Sequence, residues 1–200
     1  MAGKQGFIYE DKIHKKLKAA GIVPKGFTPA RSSATSPDAM FMYRGQSNKL
    51  EVKLDLRADY GQGTLDYVDG VWRLGGANTV EALVLRELMV AVGIEQFANS
   101  EWGPKGPPFK GRVATEQFTN DMVTSDYANF GNRYKVVPSS VLHNYYASKG
   151  TYYIQIGGYG LYYMRANPLQ FPIPQFNPGL KIRLRTKRGG SVPLNNYRFT

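Results

Sequence analysis

Two carboxylates and one ammonium group occur at a spacing that could bring them together. Asp38 follows Pro37 at the start of a short apolar run, and after twelve intervening residues Glu51 and Lys53 stand two apart in a second apolar run. On two neighbouring strands this spacing can place all three side chains at one point. Two carboxylates can hold a divalent cation, and the lysine can then act on a water bound to that cation. These are the minimal groups for hydrolysing a phosphodiester bond.

A β-hairpin would position these groups. Residues 39–43 and 50–54 are apolar stretches separated by the turn-rich segment 44–49. This pattern predicts two paired strands. Because alternate residues of a strand share a face, Glu51 and Lys53 should point the same way.

Val52 and Leu54 should then point into the core, so the neighbouring acidic side chains would be partly buried. Placing Asp38 beside Glu51 is unfavourable unless a cation lies between them. Oxygen ligands favour a hard cation such as Mg²⁺ or Mn²⁺. The alternative is structural, since Pro-Asp pairs are common in turns and a Glu-x-Lys pair often marks a solvated strand face.

The same three residues resemble the motif of the PD-(D/E)XK nuclease superfamily, with Asp38, Glu51 and Lys53 at the motif positions. The resemblance implies a restriction-endonuclease-like core of class α/β (α+β), in which helices flank a mixed β-sheet. It also implies DNA as the substrate and Mg²⁺ as the cofactor, with Mn²⁺ as a substitute.

Further residues extend the resemblance over residues 6–67. Glu10, near the start of a predicted helix, is similar to the acidic residue of the first helix in many members, including archaeal-type Holliday-junction resolvases. Arg31 and Ser33 are similar to the basic and small residues that precede the Pro-Asp motif in resolvases. Gln62 is similar to a glutamine that follows the Glu-x-Lys strand in some members.

The resemblance implies a role for each matching residue. Asp38 and Glu51 would ligate the metal together with the backbone carbonyl of Val52. Lys53 would position or deprotonate the attacking water and stabilise charge in the transition state. Glu10 would be an outer ligand or would hold a second metal.

Gln62 has the least defined role. It could orient Lys53 or contact a phosphate, and it is equally well explained as a turn residue between two glycines.

The length of the chain favours one nuclease domain spanning residues 1–200. It would comprise the catalytic core motifs at 6–67, a helical insert at about 79–148, and a basic, β-rich C-terminal part at 150–200. Within the insert, apolar residues at helical spacing predict one long helix from Thr79 to about Ala98 that covers the sheet.

Positive charge is concentrated in the C-terminal part of the chain. The formal net charge is +11, and residues 127–200 contain ten Lys and Arg but no Asp or Glu. Such a balance favours a polyanionic partner and predicts steeply salt-dependent binding.

One basic strand carries much of this charge. Lys181, Arg183 and Arg185 alternate with Ile182 and Leu184, so the cations should share one face and the apolar residues the other. Lys187 and Arg188 follow. We interpret this strand as facing a phosphate backbone, although positive charge on an edge strand also prevents aggregation.

Tyrosines are crowded in the same region. Some could stack on unpaired bases, but most are expected to fill the core, because Tyr is a good strand former. The glycine-rich segment 157–160 predicts a hairpin turn; no helix is expected after it, so it does not match a phosphate-binding loop. The crowded tyrosines are Tyr145, Tyr146, Tyr152, Tyr153, Tyr159, Tyr162 and Tyr163.

Absences narrow the choice of chemistry. The chain has no cysteine, which excludes disulfides, a thiolate nucleophile and Cys-based zinc sites. His14 and His143 are too far apart in sequence to suggest a histidine metal site. No apolar run approaches a membrane-spanning length, so we expect a soluble, intracellular (cytoplasmic) protein without a membrane partner. A small, basic, cysteine-free nuclease would suit a phage.

Two hypotheses from different classes follow. The first is a metal-dependent DNA endonuclease that acts on branched DNA or at specific sites, and a two-fold symmetric substrate would require a homodimer. The second is a non-catalytic nucleic-acid-binding protein that uses the basic, Tyr-rich C-terminal segment. Sequence specificity, cut geometry and the choice between duplex and junction stay open.

Overall fold

The computed structural model describes the chain in five stretches, residues 2–29, 37–76, 79–103, 128–188 and 197–199, with the backbone alone at 2–4, 187–188 and 197–199. Four helices have defined bounds: α1 (Ala2–Ala19), α2 (Val80–Ala91), α3 (Ile94–Trp102) and α4 (Ser140–Ser148). Ten strands are β1 (Ala39–Tyr43), β2 (Gln46–Lys53), β3 (Leu65–Val68), β4 (Val71–Leu74), β5 (Arg133–Val137), β6 (Thr151–Ile156), β7 (Gly160–Tyr163), β8 (Leu180–Leu184), β9 (Thr186–Arg188) and β10 (Tyr197–Phe199).

Helices combine with a mixed sheet in the described residues, which confirms the predicted α+β class. Contacts divide the chain into two compact units. The first unit comprises Met1–Tyr60 and Pro138–Pro178, and the second comprises Gly61–Val137 and Gly179–Thr200. A restriction-endonuclease-like core and a single nuclease domain stay predictions.

The first unit contains a four-stranded sheet in the order β1-β2-β6-β7. The β1–β2 pair is antiparallel, which confirms the predicted hairpin, and β6 lies parallel to β2 on its other side. Strand β2 is longer than expected, so only Arg44 and Gly45 remain in the turn. Leu54 was predicted to point into the core, but it lies beyond the end of β2 and is only half-buried.

The core of the first unit surrounds β2. Val52 is 1% exposed, and α1 packs against β1 and β2 through Tyr9, Ile13 and Leu17. Helix α4 packs against β6. Because β2 has a strand on each side and a helix against it, even its acidic residue Glu51 is buried.

The second unit contains the sheet β4-β3-β10-β9 and the two-stranded sheet β5-β8. Its core centres on Trp72, whose ring lies 4.8 Å from that of Trp102 and 5.4 Å from that of Phe130. Leu184 is 1% exposed and Ile182 packs against the same cluster, which confirms the inward side of the predicted basic strand.

The predicted helix from Thr79 to about Ala98 is two helices. Thr79 caps α2, with its hydroxyl accepting a hydrogen bond from the Ala82 amide. Gly93 then adopts φ +71°, a left-handed conformation that ends one helix before α3 begins. No residue of α2 is buried, and Val80 is 72% exposed, so it is not the covering helix that the pattern suggested.

The segment predicted as a helical insert, residues 79–148, is not helical throughout. Strand β5 lies within it and pairs with β8, and α4 belongs to the first unit. The alternation of half-buried and exposed residues in β5, with two valines at its end, favours strand over helix. Residues 104–127 of this segment lie outside the described part of the chain.

Candidate active site

Asp38 joins the two strands of the hairpin. It precedes β1, and its Oδ2 accepts a hydrogen bond from the backbone amide of Val52 at 2.9 Å. This bond fixes the carboxylate beside the middle of the Glu-x-Lys segment. The hairpin therefore brings Asp38 next to the motif of the second strand, as its spacing predicted.

Glu51 and Lys53 share one face of β2. Lys53 Nζ lies 2.5 Å from Glu51 Oε1 and 4.0 Å from Asp38 Oδ2. Glu51 is only 7% exposed. The contact is consequently an ion pair in a largely water-excluded site, unlike a solvated pair on a strand surface.

Glu10 brings a third carboxylate to the cluster from helix α1. The pKa of Glu10 is raised to about 7, chiefly by burial and next by the negative charge of Asp38, against the opposing effect of Lys53. The charge of Glu51 acts in the same direction as that of Asp38. Three acidic side chains distant in sequence thus interact in one place.

Asp38 is perturbed for the same physical reasons. Its pKa is raised to about 6, chiefly by burial and next by the negative charge of Glu51, while Lys53 and the hydrogen bond from the Val52 amide act in the opposite direction. Both causes disfavour the ionised carboxylate.

Lys53 responds oppositely to the same surroundings. Burial alone would lower its pKa, but the negative charges of Glu51 and Asp38 outweigh this and raise the pKa above its usual value. The side chain is therefore a stable ammonium at neutral pH. In this arrangement it supplies positive charge and hydrogen-bond donors.

Tyr146 also belongs to this cluster. The sequence predicted only that it is one of the tyrosines that fill the core. Its hydroxyl, on α4, donates a hydrogen bond to Glu51 Oε1 at 2.7 Å and lies 3.1 Å from the carbonyl of Tyr60. Tyr146 is 1% exposed, and burial raises its pKa well above the usual value, so the hydroxyl keeps its proton. No local motif marks Tyr146, because its partner lies 95 residues away.

The donor set fits a hard divalent cation. Asp38, Glu51 and Glu10 offer carboxylate oxygens, and burial together with mutual repulsion raises the pKa values of Asp38 and Glu10. Lys53 and Tyr146 both bind Oε1 of Glu51. Among the described residues, no three His, Cys, Asp or Glu side chains stand ready as a complete ligand set. A site here would need other oxygens, such as the predicted Val52 carbonyl and water.

Three further predicted residues complete the account of the catalytic region. Gln62 belongs to the second unit, where its side-chain oxygen lies 3.5 Å from a guanidinium nitrogen of Arg185. Its predicted effect on Lys53 stays a prediction. Arg31 and Ser33 lie outside the described part of the chain.

The predicted basic strand is present as β8, but it includes only two of the three predicted cations. Lys181 is exposed and Arg183 half-buried on the outer face of β8, opposite Val136 and Tyr134 of β5. Arg185 follows the end of β8 and is half-buried, so the three cations do not form one uniform exposed row. Lys187 and Arg188 lie in β9, and only the backbone of these two residues is described.

Comparison with known proteins adds no relative. No protein-family model matches the chain, and neither a curated protein nor a solved structure matches it. None of the helices in the described stretches has the length and apolar character needed to cross a membrane. The acidic cluster around Lys53 is therefore the feature of this chain that points to a function.

Proposed function

We propose that this protein is a metal-dependent DNA endonuclease that hydrolyses phosphodiester bonds. The observation that carries the proposal is the cluster in the first unit. There the hairpin and α1 hold Asp38, Glu51, Glu10 and Lys53 in one largely buried place. A structural role alone does not explain three interacting carboxylates with a single nearby ammonium.

The carboxylates of Asp38 and Glu51, with the Val52 carbonyl, would hold Mg²⁺ or Mn²⁺, and Glu10 would be an outer ligand. The bound cation would supply an activated water and charge neutralisation at the phosphate. Lys53, as an ammonium, would orient the attacking water and stabilise negative charge on the phosphate oxygens. Its raised pKa favours this role over that of a general base in the arrangement described.

The substrate class is proposed as DNA, either branched or containing a specific site. The net charge of +11 and the acid-free segment 127–200 favour a polyanion. The resemblance to resolvases around Glu10 and Arg31 favours branched DNA, whereas the basic C-terminal part suits a site-specific enzyme equally well. A symmetric substrate would require a homodimer.

A non-catalytic nucleic-acid-binding protein is the second candidate. The outer face of the β5-β8 sheet favours it, because Tyr134 is 58% exposed there beside Arg183, and Lys181 is exposed two residues away. An aromatic ring next to cations can bind single strands without any catalysis. Removal of the acidic cluster would leave such a binder intact.

The test is cleavage of supercoiled plasmid and of a synthetic four-way junction, with Mg²⁺, Mn²⁺ or chelator. We expect metal-dependent cutting that falls by about 10²–10³-fold in Lys53→Ala and in Asp38→Asn. Asp69→Asn is the matched control, because Asp69 lies in the β3–β4 turn at φ +51°, a conformation that Asn also tolerates.

Binding of an uncut DNA in chelator separates the two candidates. A nuclease should lose turnover in Asp38→Asn while its DNA affinity is kept or increased, because negative charge is removed. Wild-type protein that binds DNA, cuts neither substrate with either metal and binds no Mg²⁺ by calorimetry would overturn the proposal in favour of the second candidate.

A further inference from the structure

The glycine-rich turn between β6 and β7 lies at the catalytic end of the sheet. Strand β6 runs parallel to β2, and Ile156 pairs with Lys53. The next residue, Gly157, donates its backbone N–H to the carbonyl of Lys53 at 2.9 Å. The turn therefore begins at the end of β2 that carries the proposed catalytic lysine.

Close packing fixes this turn in place. A Cβ atom at Gly157 would clash with the carbonyl oxygen of Leu54 and lie 3.2 Å from Cζ of Tyr9. Tyr9 immediately precedes Glu10 on α1. The turn is thus in contact both with the backbone that follows Lys53 and with the helix that supplies the third carboxylate.

Tyr159 occupies the tip of the turn. Its backbone N–H donates to the carbonyl of Ile156 at 3.1 Å, and its own carbonyl accepts a hydrogen bond from the Tyr162 hydroxyl at 3.3 Å. Gly158 and Gly160, at φ +78° and +118°, make the tight reversal on either side of it. The backbone of Tyr159 is therefore held by bonds on both sides.

The side chain of Tyr159 is nevertheless 60% exposed. Tyr153 on β6 is 1% exposed, and Tyr162 and Tyr163 on β7 are half-buried. A single exposed aromatic residue is ordinary on a protein surface. Tyr159 differs because two hydrogen bonds hold its backbone, and its turn begins at Gly157, which donates to the carbonyl of Lys53.

We infer that Tyr159 stacks on a base of the DNA substrate next to the scissile phosphate. A tyrosine face can stack on any base that is unpaired or withdrawn from its helix, but not on a base inside a continuous duplex. This inference rests on the proposed nuclease function and deepens it. It assigns DNA with an unpaired or easily unstacked base beside the cut, such as a junction, bubble or flap, as the preferred substrate class.

The test compares wild type with Tyr159→Ala and Tyr159→Phe on a four-way junction, a bubble and a matched continuous duplex. Stacking requires the ring and not the hydroxyl, so Tyr159→Phe should behave as wild type. In Tyr159→Ala we expect KM for the junction and bubble to rise about tenfold, with a much smaller change in kcat. Tyr134→Ala, which removes an exposed tyrosine from the second unit, is the control.

A binding measurement without turnover makes the result independent of cleavage. A DNA bubble carrying 2-aminopurine is titrated with protein in chelator, and stacking on Tyr159 should change the fluorescence of that base in wild type and Tyr159→Phe alone. Equal fluorescence and equal KM in wild type and Tyr159→Ala would overturn the inference while leaving the nuclease intact. Absence of cutting in wild type would overturn the proposed function, and the fluorescence comparison would still decide whether Tyr159 contacts the base.

Discussion

At the scale of single residues, the candidate site is defined by charges that compensate one another incompletely. Lys53 neutralises part of the negative charge of Glu51 and Asp38, and Tyr146 donates a further hydrogen bond to Glu51. The pKa values of Asp38 and Glu10 still rise to about 6 and 7. Burial is the main cause and mutual repulsion the second, and a bound divalent cation would offset that repulsion.

The raised pKa values predict how stability depends on pH. Between about pH 4 and pH 7 the folded state binds more protons at Asp38 and Glu10 than the unfolded state does. Stability in chelator should therefore decrease as pH rises through this window. Thermal unfolding of wild type, compared with an Asp38→Asn/Glu10→Gln variant, should show a downward slope that is flatter in the variant.

The same thermal unfolding measurement can be repeated with Mg²⁺ in place of chelator. Mg²⁺ should raise the unfolding temperature of wild type most at pH 7.5, where the carboxylates are ionised, and least at pH 5. A stabilisation by Mg²⁺ that is equal at both pH values, or unchanged in the double variant, would contradict binding at these carboxylates.

Tyr146 is predicted to position Glu51. Tyr146→Phe keeps the ring in the core and removes the donor to Glu51 Oε1. Groups that orient a metal ligand typically change metal affinity or activity by about 10–100-fold, so we expect cleavage to need about tenfold more Mg²⁺. The Mg²⁺ dependence of the cleavage rate measures this.

Tyr153→Phe is the matched control for this prediction. Tyr153 is equally buried, but its hydroxyl bonds to Asn167, away from the acidic cluster. Tyr146→Phe loses the bond to Glu51, and Tyr153→Phe loses the bond to Asn167 and the one accepted from the Leu169 amide, so each should be destabilised by about 1–2 kcal/mol. A shift in Mg²⁺ dependence common to both would show a general effect of stability.

At the scale of elements, the site requires a hairpin, a helix and a parallel strand to meet. The β1–β2 hairpin aligns Asp38 with the Glu-x-Lys segment, and α1 adds Glu10. Strand β6 then covers the free edge of β2 and carries the glycine turn to its end. Because β2 is paired on both sides, its backbone has little freedom to move the proposed catalytic groups.

The turn between β6 and β7 should not tolerate a side chain at Gly157. Gly157→Ala should destabilise the first unit by about 1–3 kcal/mol, because the new methyl group meets the backbone carbonyl of Leu54, which cannot rotate away. Chemical denaturation measures the change. Gly179→Ala, where a Cβ meets nothing within 4 Å, is the control and should be close to neutral.

The same variant should also slow cleavage, since the carbonyl of Lys53 accepts its hydrogen bond from Gly157. A Gly157→Ala protein with wild-type stability would show that the end of β2 is looser than its packing indicates.

At the scale of the whole molecule, charge is distributed unevenly along the chain. The segments of the two units alternate in sequence. Every acidic residue lies within the first 126 positions, and ten basic residues follow. The second unit contains the exposed Lys181 and the half-buried Arg183 on one outer face. Many side chains would therefore share in the proposed affinity for nucleic acid.

This distribution predicts a steep salt dependence. If about six phosphates are contacted, DNA affinity should fall roughly a thousandfold between 50 and 200 mM salt. Fluorescence anisotropy with DNA in chelator gives the slope of log K against log salt. Lys181→Ala should reduce that slope by about one. A slope near zero would contradict binding through the phosphate backbone.

The sequence by itself determined the residue types, the local hairpins and the charge. Pro37-Asp38 and Glu51-x-Lys53 lie on adjoining strands because turn residues and period-two apolar patterns act over short distances. The hairpin turn at 157–160 follows from the same local rules and is confirmed. The alternation of charged and apolar residues at 181–185 likewise predicted which side of the basic strand faces the core.

Only the tertiary structure decided what surrounds those groups. Tyr146 reaches Glu51 across 95 residues, and β6 lies beside β2 through a long connection that no local pattern encodes. The exposure of α2 likewise depended on how the neighbouring elements pack, whereas the division of the predicted long helix at Gly93 is a local effect of glycine. Burial, and with it the raised pKa values of Asp38 and Glu10, exists only once distant segments exclude water. Sequence spacing can align the acidic groups, but solvent exclusion by the complete fold gives them their electrostatic character.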